Sequence, residues 1–328
     1  MKRFFFLAVA ATAMLAACNK TEVVYNNDPQ EIAFNAVNKT AVKAPVDGVV
    51  FPTDDNMKVA AYLAQGDAGA GQITSGNYFA ATLFDYAGEF WKGSRYWPLS
   101  ESIINFLAIS QPDPARPVAT EFDTTTPAAV ATVTLADNSI AQYDLMYAAA
   151  QGHCTPGVYP DVDMVFKHAL SWIYFTVKTN VTGTGKITVK SITLNDAVYN
   201  GVLTLTNNCY NVTSSYTSAA ANVDADWTTV GTEQDVEVVS GAVTCGTSAL
   251  DFGNGLLVLP GNQTSFTIKY TITHEAGVEN TLTYTYTLGG KWAMAKKYIY
   301  NITLNLNEIL IDPEVADWAD VTSDITIQ

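Results

Sequence analysis

From Glu31 to Ile311 the chain repeats one pattern: short runs of β-branched and aromatic residues, alternating or continuous, separated by turn signals. In the first half these runs are Glu31 to Val37, Met57 to Leu63, Ser102 to Ile109, Ala129 to Leu135 and Gln142 to Ala148. The second half carries Asp163 to Lys178, Lys186 to Asn195, Gly201 to Thr206, Leu256 to Leu259, Ser265 to His274, Thr281 to Leu288 and Tyr298 to Ile311. Such residues suit the half-buried, pleated surface of a sheet, and runs of this length between breakers read as strands. Helical periodicity is weak, and only short pieces such as Ser75 to Asp85 could form a helix. The chain is therefore expected to be all-β.

Punctuation divides the pattern. Gly183-Thr-Gly185, within Val181 to Lys186, reads as a hairpin turn. Pro112, Pro114, Pro117 and Pro127 bound a Thr-rich loop that no strand should cross. Gly152, Pro156, Gly157 and Pro160 interrupt the β pattern again, which sets a boundary at about residue 158. A β-sandwich is expected on each side, over 31–158 and 159–328.

The N-terminus has a different character. Met1-Lys2-Arg3 is basic, Phe4 to Leu15 is apolar, and Leu15-Ala16-Ala17 places small residues before Cys18. A basic start, a short apolar run and a small-residue cleavage site describe a secretory signal over residues 1–17. A cysteine directly after Leu-Ala-Ala makes the segment resemble a bacterial lipobox, with Cys18 as the lipidated N-terminus of the exported chain. Residues 18–30 then form a lipidated leash, polar from Asn19 to Asp28, and the outer membrane is the expected anchorage.

Composition excludes several functions. Charged residues make up 15% of the chain, against the usual quarter. Removing residues 1–17 leaves 15 basic against 32 acidic residues, a net charge of −17. Phosphate backbones are bound by Lys and Arg, so a nucleic-acid partner is excluded.

Chemical constellations are absent too. Of the three histidines, His168 sits in an apolar run and reads as a packed, hydrogen-bonded side chain. No Gly-x-Ser-x-Gly, Ser-x-x-Lys or phosphate-cradling loop occurs, so no catalytic residue and no cofactor is implied. His153-Cys154 lacks zinc spacing, and Asp161 with Asp163 or Asp224 with Asp226 lack a calcium-loop pattern; these are read as solvated carboxylates, with no metal. Cys154, Cys209 and Cys245 permit one disulfide in any of three pairings, or three buried thiols. Trp91, Trp97, Trp172 and Trp292 lie in strand-like contexts and read as core. Trp227, in the polar stretch Ser214 to Thr232, is the tryptophan expected to be exposed.

Four motifs stand in order behind the lipobox: Ile32-Ala-Phe34; Phe90-Trp91-Lys-Gly-Ser-Arg-Tyr-Trp97-Pro98; Val165 to Lys178; and Lys291-Trp292 followed by Lys296 to Leu304 and Asn307 to Trp318. Together they resemble the bacterial fimbrillin family, the type V pilins. The resemblance implies two transthyretin-like β-sandwiches in tandem, export as a lipoprotein, and polymerisation with other pilin subunits, like or unlike. It further implies that a protease removes the leader with the first strand, and that a C-terminal segment of another subunit fills the vacancy.

On this reading Ile32, Phe34 and Ala36 share one face of the displaced strand, and Val321, Ile325 and Ile327 share one face of the donor segment Val321 to Gln328. The chain departs from the family's arginine cleavage pattern, because no arginine occurs between Arg3 and Arg95. Processing is then expected near Lys39 or Lys43, or the subunit stays uncut as an anchor or tip. The alternative reading is a glycan-binding surface lipoprotein that uses an exposed aromatic row including Trp227. A host or bacterial surface ligand is not identifiable from these residues.

Overall fold

The computed structural model describes residues 30–36, 51–65, 72–111, 118–136, 142–183, 185–207, 223–231, 233–238, 240–261, 265–274, 276–305 and 309–318. They form strands and turns throughout. The first group is β1 (Glu31–Asn35), β2 (Asn56–Gln65), β3 (Gln72–Tyr86), β4 (Trp91–Tyr96), β5 (Ser102–Gln111), β6 (Ala119–Phe122), β7 (Ala128–Thr134) and β8 (Met146–Cys154). Two short pieces follow, β9 (Val162–Asp163) and β10 (Lys167–His168). Next come β11 (Ser171–Thr179), β12 (Lys186–Ala197), β13 (Asn200–Asn207), β14 (Val223–Thr229), β15 (Gln234–Glu237) and β16 (Val243–Thr244). The rest are β17 (Leu250–Asp251), β18 (Leu256–Val258), β19 (Ser265–Thr273), β20 (Glu279–Thr287), β21 (Lys296–Leu304) and β22 (Ile309–Asp317).

The first sheet runs β10-β8-β5-β2-β3-β4-β1-β9. It curls so that its two ends face each other: the Phe34 ring on β1 lies 5.0 Å from the Phe106 ring on β5. The space between is a core of Ile32, Phe34, Phe51, Phe84, Trp91, Trp97, Phe106 and Phe166, with smaller residues around them. Continuous apolar runs such as Ser102 to Gln111 are explained by burial on both faces. Phe106, Ala108, Met146, Ala148 and Ala150 face this core. Their neighbours Leu107, Ile109, Tyr147 and Ala149 face a second one.

That second core is shared. A four-stranded sheet, β14-β13-β7-β6, packs on the outer face of β2, β5 and β8, and the Tyr62 hydroxyl on β2 donates to the Asp123 carbonyl at 2.9 Å. Beyond it two five-stranded sheets face each other, one built on β17-β11-β21-β22 and the other on β15-β12-β19-β20. Their facing aromatics interlock, Phe175 with Phe266 at 5.1 Å and Phe266 with Tyr300 at 5.0 Å. Among the described residues three strand pairings cross residue 158: β9 pairs with β1 and β10 with β8 in the first sheet, and β7 pairs with β13 over Ala128–Thr134 and Asn200–Thr206.

Three local expectations are corrected. Ser75 to Asp85 lies within β3 and is not helical. The β2–β3 register slips between Val59 and Ala61, where Thr82 and Phe79 are their partners. This bulge turns Phe79 and Phe84, five apart, into the same core, so strict alternation is lost from the sequence. The hairpin expected at Val181 to Lys186 is not formed, since β11 and β12 belong to different sheets and do not pair. The run Tyr298 to Ile311 is split between two antiparallel strands, β21 and β22.

Within the Pro-bounded stretch, β6 forms as the edge strand of its sheet. Asp123 organises the turn after it by accepting from the backbone and hydroxyl groups of Thr125 and Thr126. These bonds, led by the Thr125 hydroxyl, hold its carboxyl at about 2.

Candidate functional site

β1 is five residues long and is held on both sides. It pairs antiparallel with β4 (Glu31 opposite Tyr96, Ala33 opposite Lys92, Phe34 opposite Trp91) and parallel with β9 (Phe34 with Val162, Asn35 with Asp163). The Trp97 N–H donates to the Gln30 carbonyl at 2.9 Å, and the Met164 N–H donates to the Asn35 carbonyl at 3.0 Å. Ile32 and Phe34 are wholly buried, and Ala36 nearly so. The Phe34 ring meets Phe84 at 4.8 Å as well as Phe106, both edge to face. Burying side chains of this kind stabilises by about 1.5–3 kcal/mol each. The strand is a wedge whose inward face completes the first core.

Polar groups mark its two ends. The Glu31 carboxylate accepts from the Ser94 N–H at 2.9 Å and lies 4.0 Å from the Lys92 ammonium. Ser94 has φ of 53°, a left-handed conformation uncommon for serine, and the carboxylate caps the N–H so presented. At the other end the Asn35 amide donates to the Asp163 carboxylate at 3.1 Å.

The expected residues divide sharply by location. Ile32, Phe34 and Ala36 sit together on the inward face of β1. Cys18, Lys39, Lys43, Val321, Ile325 and Ile327 lie outside the described residues, as does Cys209. Toward the C-terminus, β22 occupies a sheet edge with Leu310 and Val315 more than half exposed. Trp318 follows it and is buried again, its indole stacked on the His168 ring at 3.7 Å. His168 is fully buried, with Nδ1 2.8 Å from the Asp144 carboxylate. The sequence reading placed His168 in packing but missed Trp318 as its partner, because 150 residues separate them and no spacing links the two.

Trp227 corrects the expectation of an exposed ring. It is half-buried, packs against the shared core, and donates its indole N–H to the Ala169 carbonyl at 2.6 Å. Trp91, Trp97, Trp172, Trp292 and Trp318 are all buried. Cys154 and Cys245 are buried free thiols. Burial pushes the Cys245 thiol up to about 11, and Cys154 is shifted in the same direction for the same reason.

The profile of a family described as fimbrillin-like matches residues 14–318. No curated protein matches the chain. Among solved structures, a fimbrial protein from Bacteroides vulgatus is similar with a TM-score of 0.57 and 17% identity, over 81% of this chain and 93% of that one. A candidate cell adhesion protein from Bacteroides uniformis is similar with a TM-score of 0.53 and 17% identity, over 89% of this chain and 99% of that one.

Proposed function

The chain belongs to the fimbrillin-like family, a family of structural pilus subunits and not of enzymes, and from that premise we propose that it joins neighbouring subunits in a surface fibre by exchange of strands. The observation that carries the reading is the wedge itself. β1 fills a slot whose walls, β4, β9, Phe84 and Phe106, belong to other parts of the chain. A slot without β1 presents unpaired backbone groups of β4 and an uncovered aromatic floor, which is a template for an incoming extended segment. Main-chain bonds then supply affinity, and alternate side chains supply specificity.

In this scheme the subunit is exported as a lipoprotein through Cys18 and carried to the outer membrane. Cleavage near Lys39 or Lys43 frees β1, and the segment carrying Val321, Ile325 and Ile327 of a neighbour takes its place. A chain left uncut keeps both lipid and wedge, and serves at the base or tip of the fibre. The two halves about residue 158 act as sandwich units joined by the β7–β13 ladder.

The test is deletion of Val321 to Gln328. Expected are a folded monomer, with unchanged far-ultraviolet dichroism, and loss of fibres at the cell surface. Normal fibres after this deletion would refute donation by the C-terminal segment. The N-terminus of the assembled form decides its role: a lipidated start at Cys18 marks an uncut subunit, and a start near residue 40–45 marks a processed one.

A further inference from the structure

We propose that β20 is a homotypic interface: its outer edge pairs antiparallel with β20 of a second copy, about a two-fold axis through Thr283, and joins subunits side by side. The contact is independent of exchange at the β1 slot, because β20 and β1 belong to different sheets.

The other sheet edges among the described residues carry features that discourage pairing. β9, β10 and β17 have two residues each, and β6 and β15 have four. β14 carries Asp224 and Asp226, and β22 carries Pro313 between Asp312 and Glu314. β20 has none of these. Its nine residues pair one for one with β19 without a bulge, it contains no proline, and its single charge is Glu279 at the first position.

Both faces of this strand are suited to a neighbour. On the inner face Leu282 stands beside buried Tyr270 and Tyr284 beside buried Ile268, so the row continues the core of the sandwich. Leu282 is nevertheless 41% exposed and Tyr284 37% exposed. The apolar row runs on to the sheet edge and stops there uncovered. On the outer face Thr281 and Thr285 share hydroxyl hydrogen bonds with Thr271 and Thr267 of β19, at 3.2 and 3.1 Å, which hold the strand flat against its partner.

The sequence Thr281-Leu-Thr-Tyr-Thr285 identifies the occupant, because it complements itself. Opposed residues of antiparallel strands share a face, so a two-fold axis must pass through a residue and not between two. With Thr283 on the axis all nine residues of β20 find a partner. Leu282 then meets Tyr284 of the second copy, Tyr284 meets its Leu282, and threonine meets threonine at 281, 283 and 285. Moving the axis by one residue leaves two residues of each strand unpaired.

Charge permits the same arrangement, although the chain as a whole carries −15. The two Glu279 carboxylates fall at opposite ends of the ladder, each opposed to Thr287, about 27 Å apart along the strands. The exposed Lys269 lies opposite Thr283 on β19. Its ammonium is separated from that of the second copy by three strand spacings, about 14 Å, beyond the screening length of about 8 Å at physiological salt. A contact through one strand is small against the roughly 1,200–2,000 Å² of a stable pair, so it acts where copies are concentrated, along a fibre or a cell surface.

Cysteine cross-linking tests partner and register together. Full-length chains in a Cys209→Ser background, in which Cys154 and Cys245 are buried, are displayed on cells, oxidised and resolved without reductant. A residue on the axis opposes its own copy within disulfide range, so Thr283→Cys alone should give a covalent dimer. Thr281→Cys or Thr285→Cys alone should give about tenfold less, being offset by about 14 Å from its own copy, whereas the two co-expressed should give the dimer again. Thr283→Glu leaves each chain a salt-bridge partner in its own Lys269 but sets two carboxylates face to face across the axis. Added to both members of the Thr281→Cys and Thr285→Cys pair, it should remove the cross-link. Equal yields from all three single variants would mean random collision and overturn the proposal. So would a Thr283→Cys chain that stays monomeric or joins only a different protein, or a cross-link that survives Thr283→Glu.

Discussion

Replacing Phe34 by alanine separates the wedge's role before assembly from its role afterwards. The ring is fully buried and makes edge-to-face contacts with Phe84 and Phe106 at 4.8 and 5.0 Å. Phe→Ala at such a site costs about 3–5 kcal/mol, through lost transfer energy and the cavity left behind. We expect about 4 kcal/mol in the unprocessed chain, a large share of a typical stability of about 5–15 kcal/mol. With a urea dependence of about 3 kcal/mol per molar, the unfolding midpoint falls by about 1.3 M. Fibres formed from the same variant should dissociate at the wild-type temperature, because the strand bearing residue 34 is absent from them. Their yield falls, since a less stable precursor is lost to proteolysis, so melting of the isolated fibre is the decisive reading. Phe106→Ala is the control: Phe106 lies on β5 and stays in the body, and its loss should weaken precursor and fibre alike. If Phe34→Ala lowers fibre melting as much as Phe106→Ala, β1 remains in the fibre and the slot is never vacated.

Three further outcomes follow from the packing. Burial, with the neighbouring charges of Asp54 and Asp144, raises the Asp55 carboxyl from 3.8 to about 7. The folded chain then holds a proton that the unfolded chain releases between about pH 4 and 7, so stability falls as pH rises through that window, by on the order of 4 kcal/mol. Asp55→Asn should flatten the dependence, read from urea midpoints at pH 4.5 and 7.5; an unaltered slope would exclude Asp55 as its source. Cys245, raised to about 11, should resist iodoacetamide at pH 8 in the folded chain and react on addition of urea; equal labelling in both states would contradict its burial. Gly152→Ala places a methyl carbon 2.4 Å from the Trp97 ring, within a core that cannot yield freely, and should lower stability by about 1–3 kcal/mol in thermal or urea melts. No change would mean that Trp97 moves aside at no cost.

What could be read from residues alone was the class of the fold and, where no bulge intervenes, the inward face of a strand. β-branched and aromatic runs, alternating in β7 and β12, already separate inward from outward positions, because the side-chain period of a strand is two whatever its neighbours are. The same local code made Ile32, Phe34 and Ala36 legible as one face, and the likeness of the C-terminal segment to that strand is a property of sequence.

The tertiary structure decided partners. Nothing in Val162-Asp163 announces that this two-residue piece flanks β1, or that Ser94 offers its N–H to Glu31, 63 residues away. The bulge in the β2–β3 pairing, the placing of β11 and β12 in different sheets, the β7–β13 ladder and the seat of Trp227 all depend on contacts between distant segments. A strand's pattern records which side must leave water, and many other strands can satisfy that demand. The choice among them is made by the packing of the whole chain, where backbone pairing and aromatic interlock are met together.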